Sequence, residues 1–140
     1  MKKTVLVGGC FDILHFGHVH FLKEAKKLGN YLIVALESDA NIKKLKGSTR
    51  PIHNQHQRKE ILESLQFVDQ VLILGEDMKD EDYRNLVKNL KPSFIAVTQG
   101  DPILDKKKDH AKEVDAKVIE IKKIKVASSS EIVKILLESC

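Results

Sequence analysis

The chain has no tryptophan, two cysteines and three prolines, and aromatic residues make up only 5% of its 140 positions. Each shortage excludes something. The two thiols, Cys10 and Cys140, lie at opposite ends of the sequence. They offer neither a disulfide framework nor the paired spacing of a structural zinc site, and they suit a reducing cytoplasm. No apolar run comes near the roughly 20 residues that a membrane-spanning helix needs. The stretch after Met1-Lys2-Lys3 is too short for a signal peptide, so a cytoplasmic protein without a membrane partner is expected. Basic residues are not interleaved with aromatics along a stripe, which argues against a nucleic-acid polymer as partner. Neither sign of charge is lacking: 24 Lys and Arg stand against 20 Asp and Glu, for a net charge of +4. That mild excess suits an anionic small molecule better than a cationic one. Internal repeats and low-complexity linkers are also missing, so residues 1–140 read as one domain, long enough to bury a core.

What the sequence does have is alternation. Thr4 to Val7 reads as a buried strand closed by Gly8-Gly9, and Tyr31 to Leu36 as a second. Between them Val19, Phe21, Leu22, Ala25 and Leu28 recur at helical spacing from Gly17 onward, and Gly29-Asn30 ends the helix. A polar link follows, holding Lys43, Lys44 and Lys46 ahead of Gly47 and Pro51. Asn54 caps a helix to Leu65, and Gln70 to Leu74 is a third strand. A helix from Asp80 to Leu90 precedes a fourth strand, Ser93 to Val97. A short helix within Lys106 to Val114 precedes a fifth, Lys117 to Ile121, and Ser129 or Ser130 caps a last helix to Leu137. Continuous apolar strands alternating with helices predict an α/β fold: a Rossmann-like, doubly wound parallel sheet of about five strands, in the order 3-2-1-4-5.

In such a sheet ligands bind outside the carboxyl ends of the strands. The stretch "GGCFDILHFGH", Gly8 to His18, sits at the end of the first strand, and "TQGDP", Thr98 to Pro102, at the end of the fourth. Three readings of His15 and His18 are open. A metal site needs three or four ligands, and Cys10 and Asp12 are the nearest further candidates. The imidazoles could simply pack at a turn. Or they flank the first turn of a helix opened by Gly17, where free N–H groups and the helix dipole attract phosphate, and where Gly8 and Gly9 admit close backbone approach.

The residues His15-Phe16-Gly17-His18 resemble the HxGH signature of the nucleotidyltransferase superfamily. The similarity continues through "KLKG", "RP" and "QRKEILESLQFVDQVL" to the closing "KVASSSEIVKILL". The resemblance implies a reaction in which an NTP and a phosphorylated acceptor give a nucleotide conjugate and pyrophosphate, with no covalent intermediate. It implies His15, His18 and Lys46 as the catalytic residues. Gly9, Cys10, Phe11, Gly17, Arg58, Asp101, Ser128, Ser129 and Ser130 would join the histidines in holding the nucleotide, and Lys44 with Lys46 would hold the acceptor phosphate. Mg²⁺ would bridge the phosphates, with Asp12 an indirect partner and no metal site of the protein's own. A homodimer is expected. Among the relatives, archaeal-type FAD synthases share "FDILHxGH", "KKLKG" and the closing "SSxxIVKxI", which favours ATP as donor and FMN as acceptor. Heptose-phosphate adenylyltransferases share "GCFDILH", "SDA" and "KLKG…RPI", and glycerol-3-phosphate cytidylyltransferases share the first motif, so a sugar or polyol phosphate is the alternative. A nucleotide-binding regulatory module without chemistry is the non-enzyme alternative.

Overall fold

Apolar side chains alternate between the two faces along each strand, and helices cover both faces. The computed structural model describes residues 2–139, with side chains to residue 136; Cys140 lies outside the described residues. The elements run β1 (Thr4–Gly9), α1 (Phe16–Lys27), β2 (Tyr31–Leu36), α2 (Asp39–Lys46), α3 (Gln55–Glu63) and β3 (Gln70–Ile73). They continue with α4 (Asp80–Leu90), β4 (Phe94–Thr98), α5 (Leu104–Lys112), β5 (Lys117–Ile121) and α6 (Ser129–Ser139). The five strands form one parallel sheet in the order β3-β2-β1-β4-β5, as the strand and helix alternation predicts.

Val5, Val7, Leu32, Val34 and Leu36 point to one face and pack with Leu22 and Ala25 of α1 and Leu62 of α3. Leu6, Ile33 and Ala35 point to the other and pack with Val87 of α4 and Ala111 of α5. Leu22 is fully buried; cutting such a side chain back to alanine costs about 2–5 kcal/mol. Among the described residues, no helix is long and apolar enough to cross a membrane.

Two details of the fold create the site. β1 pairs with β2 as far as Gly9 opposite Leu36, but with β4 only at Val5 and Leu6. Beyond Leu6 the two central strands part, and a crevice opens between them at the point where the strand order reverses. The second detail corrects the expectation of a polar link after β2: residues 39–46 are helical. Ser38 caps α2 by accepting the Asn41 N–H at 3.1 Å, and Ile42 is fully buried beneath it. The lysines expected in a loop therefore stand on a helix, and the loop proper begins at Gly47, whose φ of 103° ends the helix.

Candidate active site

A cleft of about 580 Å³ lies over the parted strand ends, walled by Gly8 to Phe11 on one side and Gln99 to Pro102 on the other. His15, Gly17 and His18 of the α1 start, Lys46 of α2, and Ser128, Ser129 and Ser130 at the α6 start complete it.

His15 is the N-cap of α1. Its Nδ1 accepts the Gly17 N–H at 3.0 Å, and the Nδ1 of His18 accepts the His15 N–H at 3.3 Å. A backbone N–H can only donate, so both Nδ1 atoms are bare and each neutral ring carries its proton on Nε2. The rings stack with centroids 3.8 Å apart, and Phe11 meets His18 edge-on at 5.4 Å. Burial, then the neighbouring His15, Lys46 and Arg50, push the His18 pKa down from its ordinary 6.5 to about 4. Burial and Lys46 lower His15 as well. Both rings are thus neutral N–H donors near neutral pH. This revises the expected geometry in one respect: the Gly17 N–H is not free for phosphate, because His15 occupies it. The imidazole Nε2 atoms add side-chain donors at this helix start. Gly17 itself is required by packing, since a Cβ there would lie 2.8 Å from His15 Cε1 and 3.0 Å from Val126 Cγ2.

Lys46, exposed at the end of α2, borders the cleft. Lys44 does not. Two residues apart on a helix is a turn of about 200°, and Lys44 points the other way, pairing with Asp77 at 3.3 Å. Arg58 also lies outside the cleft wall. It is 1% exposed, donating to the carbonyls of Cys10 and His53 at 2.9 and 3.0 Å and to Asp39 at 2.7 Å. Its role here is to hold the Cys10 backbone under the cleft, not to reach into it. Asp12 is likewise committed: fully buried, it accepts from Arg50 Nε (2.8 Å), Ile52 N (2.7 Å) and His53 N (3.0 Å). Burial alone would raise its pKa, but the His53 and Ile52 N–H groups and the Arg50 guanidinium outweigh that and hold it below the usual range. The Cys10 thiol is pushed up, chiefly by burial, so it offers no thiolate nucleophile.

Asp101 borders the cleft, with one oxygen accepting the Ile103 N–H at 2.9 Å and the other paired to Lys107. Ser128 caps α6 by accepting the Glu131 N–H at 3.2 Å. Gln99, from the "TQGDP" stretch at the end of β4, lines the cleft. Residues that the sequence did not single out as site residues also stand here: Lys122 and Lys123 line the cleft, and Arg50 lies behind Ser129 and Ser130. The "RP" of the central motif was the available signal for Arg50; nothing in local spacing marks the others.

A second cleft of about 450 Å³ lies on the other side of Gly8 to Cys10, so the two cavities meet at the β1 end. Leu45, Leu74, Met78 and Ile103 give it apolar walls. Its polar groups are Glu37, which accepts from Tyr83 Oη at 3.1 Å and from Asn41 Nδ2 at 2.7 Å, His110, whose Nε2 stands 2.9 Å from Asp80, and Lys106 and Lys107. Glu37 contributes to raising the Tyr83 pKa to about 12, after burial as the main cause.

Among the described residues no three His, Cys, Asp or Glu side chains converge as metal ligands. A parallel sheet with this strand order, a cleft of about 580 Å³ at its switch point and paired imidazole donors over a helix start define a nucleotide-binding α/β protein. The chain belongs to the Cytidylyltransferase-like family of nucleotidyltransferases, matched over residues 6–135. It is 48% identical over 94 residues to the bifunctional protein HldE of Campylobacter fetus subsp. fetus, across 67% of this chain and 20% of that protein. It is 50% identical over 94 residues to the HldE of a Nitratiruptor species, again across 67% of this chain and 20% of that protein. The chain thus spans about a fifth of the length of these curated relatives. The crystal structure of the lipopolysaccharide core biosynthesis protein from Thermoplasma volcanium superposes with a TM-score of 0.73 at 26% identity, covering 91% of this chain and all of that one. A Francisella tularensis pantoate-beta-alanine ligase shares the fold alone, with a TM-score of 0.62 at 17% identity over 94% of this chain and 68% of that one.

Proposed function

We propose that the chain transfers AMP from ATP to a sugar phosphate and releases pyrophosphate. The observation that carries the reading is the histidine pair: two neutral rings whose Nδ1 atoms are fixed by the backbone and whose Nε2–H groups remain to donate to phosphate oxygens. An oxygen of the acceptor phosphate attacks the α-phosphorus, the bond to the bridging oxygen breaks, and pyrophosphate leaves with that electron pair. The acceptor is already anionic, so no general base is needed. The protein supplies orientation and donors to the charge that develops. His18 faces the α-phosphoryl group, His15 and Lys46 hold phosphate oxygens, and Ser129 and Ser130 take the β- and γ-phosphates. Mg²⁺ carried on the triphosphate would neutralise further charge. Asp12 and Asp101 are both engaged by protein groups, so the fit is to an ion held by substrate oxygens rather than by side chains.

Several points support a sugar phosphate as acceptor: the HldE relatives, the Thermoplasma structural neighbour, and the motifs shared with heptose-phosphate adenylyltransferases. The Glu37, Asn41 and Tyr83 cluster in the second cleft is the kind of matched polar set that sugar hydroxyls require. FMN remains the second reading on one observation, the apolar walls of that same cleft, which suit a flat ring. Pyrophosphate release from ATP or CTP is to be measured with heptose 1-phosphate, glycerol 3-phosphate and FMN in turn. The expected result is turnover with ATP and the sugar phosphate. Turnover with FMN alone would replace the acceptor reading, and none with any acceptor would favour a regulatory nucleotide binder. A homodimer is proposed with it, checked by the mass in solution.

A further inference from the structure

Arg50 is 4% exposed and lies outside the cleft wall, yet its guanidinium joins two distant segments, the turn at Asp12 and the start of α6. Nε donates to Asp12 at 2.8 Å, Nη2 to Ser129 Oγ and Nη1 to Ser130 Oγ, both at 3.3 Å. Asp12 in turn fixes the loop that carries Arg50, through the N–H groups of Ile52 and His53. A guanidinium has donors and no acceptor. Both serine hydroxyls must therefore accept from Arg50, and each keeps its own proton to donate elsewhere. Ser129 and Ser130 border the cleft, and Arg50 stands behind them. We infer that Arg50 is a positioning residue: it holds the Ser129 and Ser130 hydroxyls as donors toward the nucleotide phosphates. Through Asp12 it ties them to the turn that leads into His15. The planar fork suits this task, since its donors are spread over three nitrogens that meet three separate acceptors, whereas the three donors of an ammonium radiate from a single nitrogen.

The inference rests on ATP being the donor, and the test separates the two. ATP affinity is measured by titration calorimetry on the full chain, with unfolding midpoints recorded alongside. The Ser129→Ala, Ser130→Ala double variant leaves the Arg50–Asp12 pair in place, and it is expected to bind ATP about tenfold more weakly than wild type. Arg50→Lys keeps a charge against Asp12 and should remain folded, with the same loss of about tenfold. The triple variant should bind no more weakly than either. A purely structural Arg50 would lower the unfolding midpoint and leave ATP affinity in place. Losses that multiply in the triple variant, or a double serine variant that binds like wild type, overturn the inference. If Arg50→Lys does not fold, Arg50→Gln, which keeps side-chain N–H donors without the fork, takes its place by the same criterion. A wild-type chain that binds no ATP overturns the donor reading and this inference with it.

Discussion

Because the Nδ1 atoms of His15 and His18 accept backbone N–H groups at the start of α1, protonation there would break a helix cap as well as add a charge. The unfolded chain's His18 takes its proton near the ordinary 6.5, the folded chain's near 4. Between those values the unfolded state holds more protons, so stability falls as the pH drops through that window. The Hε1 resonance of His18 should therefore titrate near 4 in the ligand-free protein; a midpoint near 6.5 would contradict the buried, capping geometry. Gly17→Ala tests the same geometry from the other side. Its Cβ would sit 2.8 Å from the His15 ring, so His15 must swing away, and turnover should fall at least about tenfold, as expected when one positioned donor is lost. Unchanged turnover would mean that His15 is not held where the site needs it. The pair itself was legible in the sequence, because HxGH after a glycine-ended strand states both spacing and position. The tautomer was not: it depends on which nitrogen meets a backbone N–H, and no residue pattern encodes that.

The strands were legible for a physical reason: the inner strands of a sheet covered on both faces are apolar at successive positions, so runs such as Tyr31–Leu36 stand out. Helix α2 was hidden by its composition. Ile42 is its one buried residue, and its lysines read as a solvated link; the capping Ser38 and the Asp39 behind it were the available signal. Placing these lysines on a helix changes what each can do. Lys46→Ala should slow turnover at least about tenfold, on the scale of one charged phosphate donor. Lys44→Ala should leave it unchanged, because its partner is Asp77 on the surface. Equal effects would mean that α2 is not formed as described. The loop that follows, residues 47–53, is mostly exposed up to the anchor at Arg50. ATP with Mg²⁺ should protect it from proteolysis, and protease sensitivity that ligand does not change would remove Lys46 from the site. Arg58 and Asp12 show the limit of reading polar residues near a motif as ligands: both are buried and engaged by backbone and by an ion-pair partner, a distinction made only by tertiary packing.

On the scale of the whole molecule, the parting of β1 and β4 after Leu6 places two cavities back to back at Gly8, Gly9 and Cys10. One presents imidazole, lysine and serine donors; the other has apolar walls with a small polar cluster. A donor nucleotide on one side and an acceptor body on the other would meet where the phosphates can react in line. The measurement that tests this account most directly follows the α-phosphorus of labelled ATP in wild type and His18→Ala, with ATP affinity recorded for both. The account predicts that the label passes to the acceptor in wild type, and that His18→Ala slows the transfer at least about a hundredfold, the scale of one lost transition-state donor, while ATP binding changes far less. Label that stays in ATP with every acceptor, or equal losses of transfer and binding in His18→Ala, would contradict it.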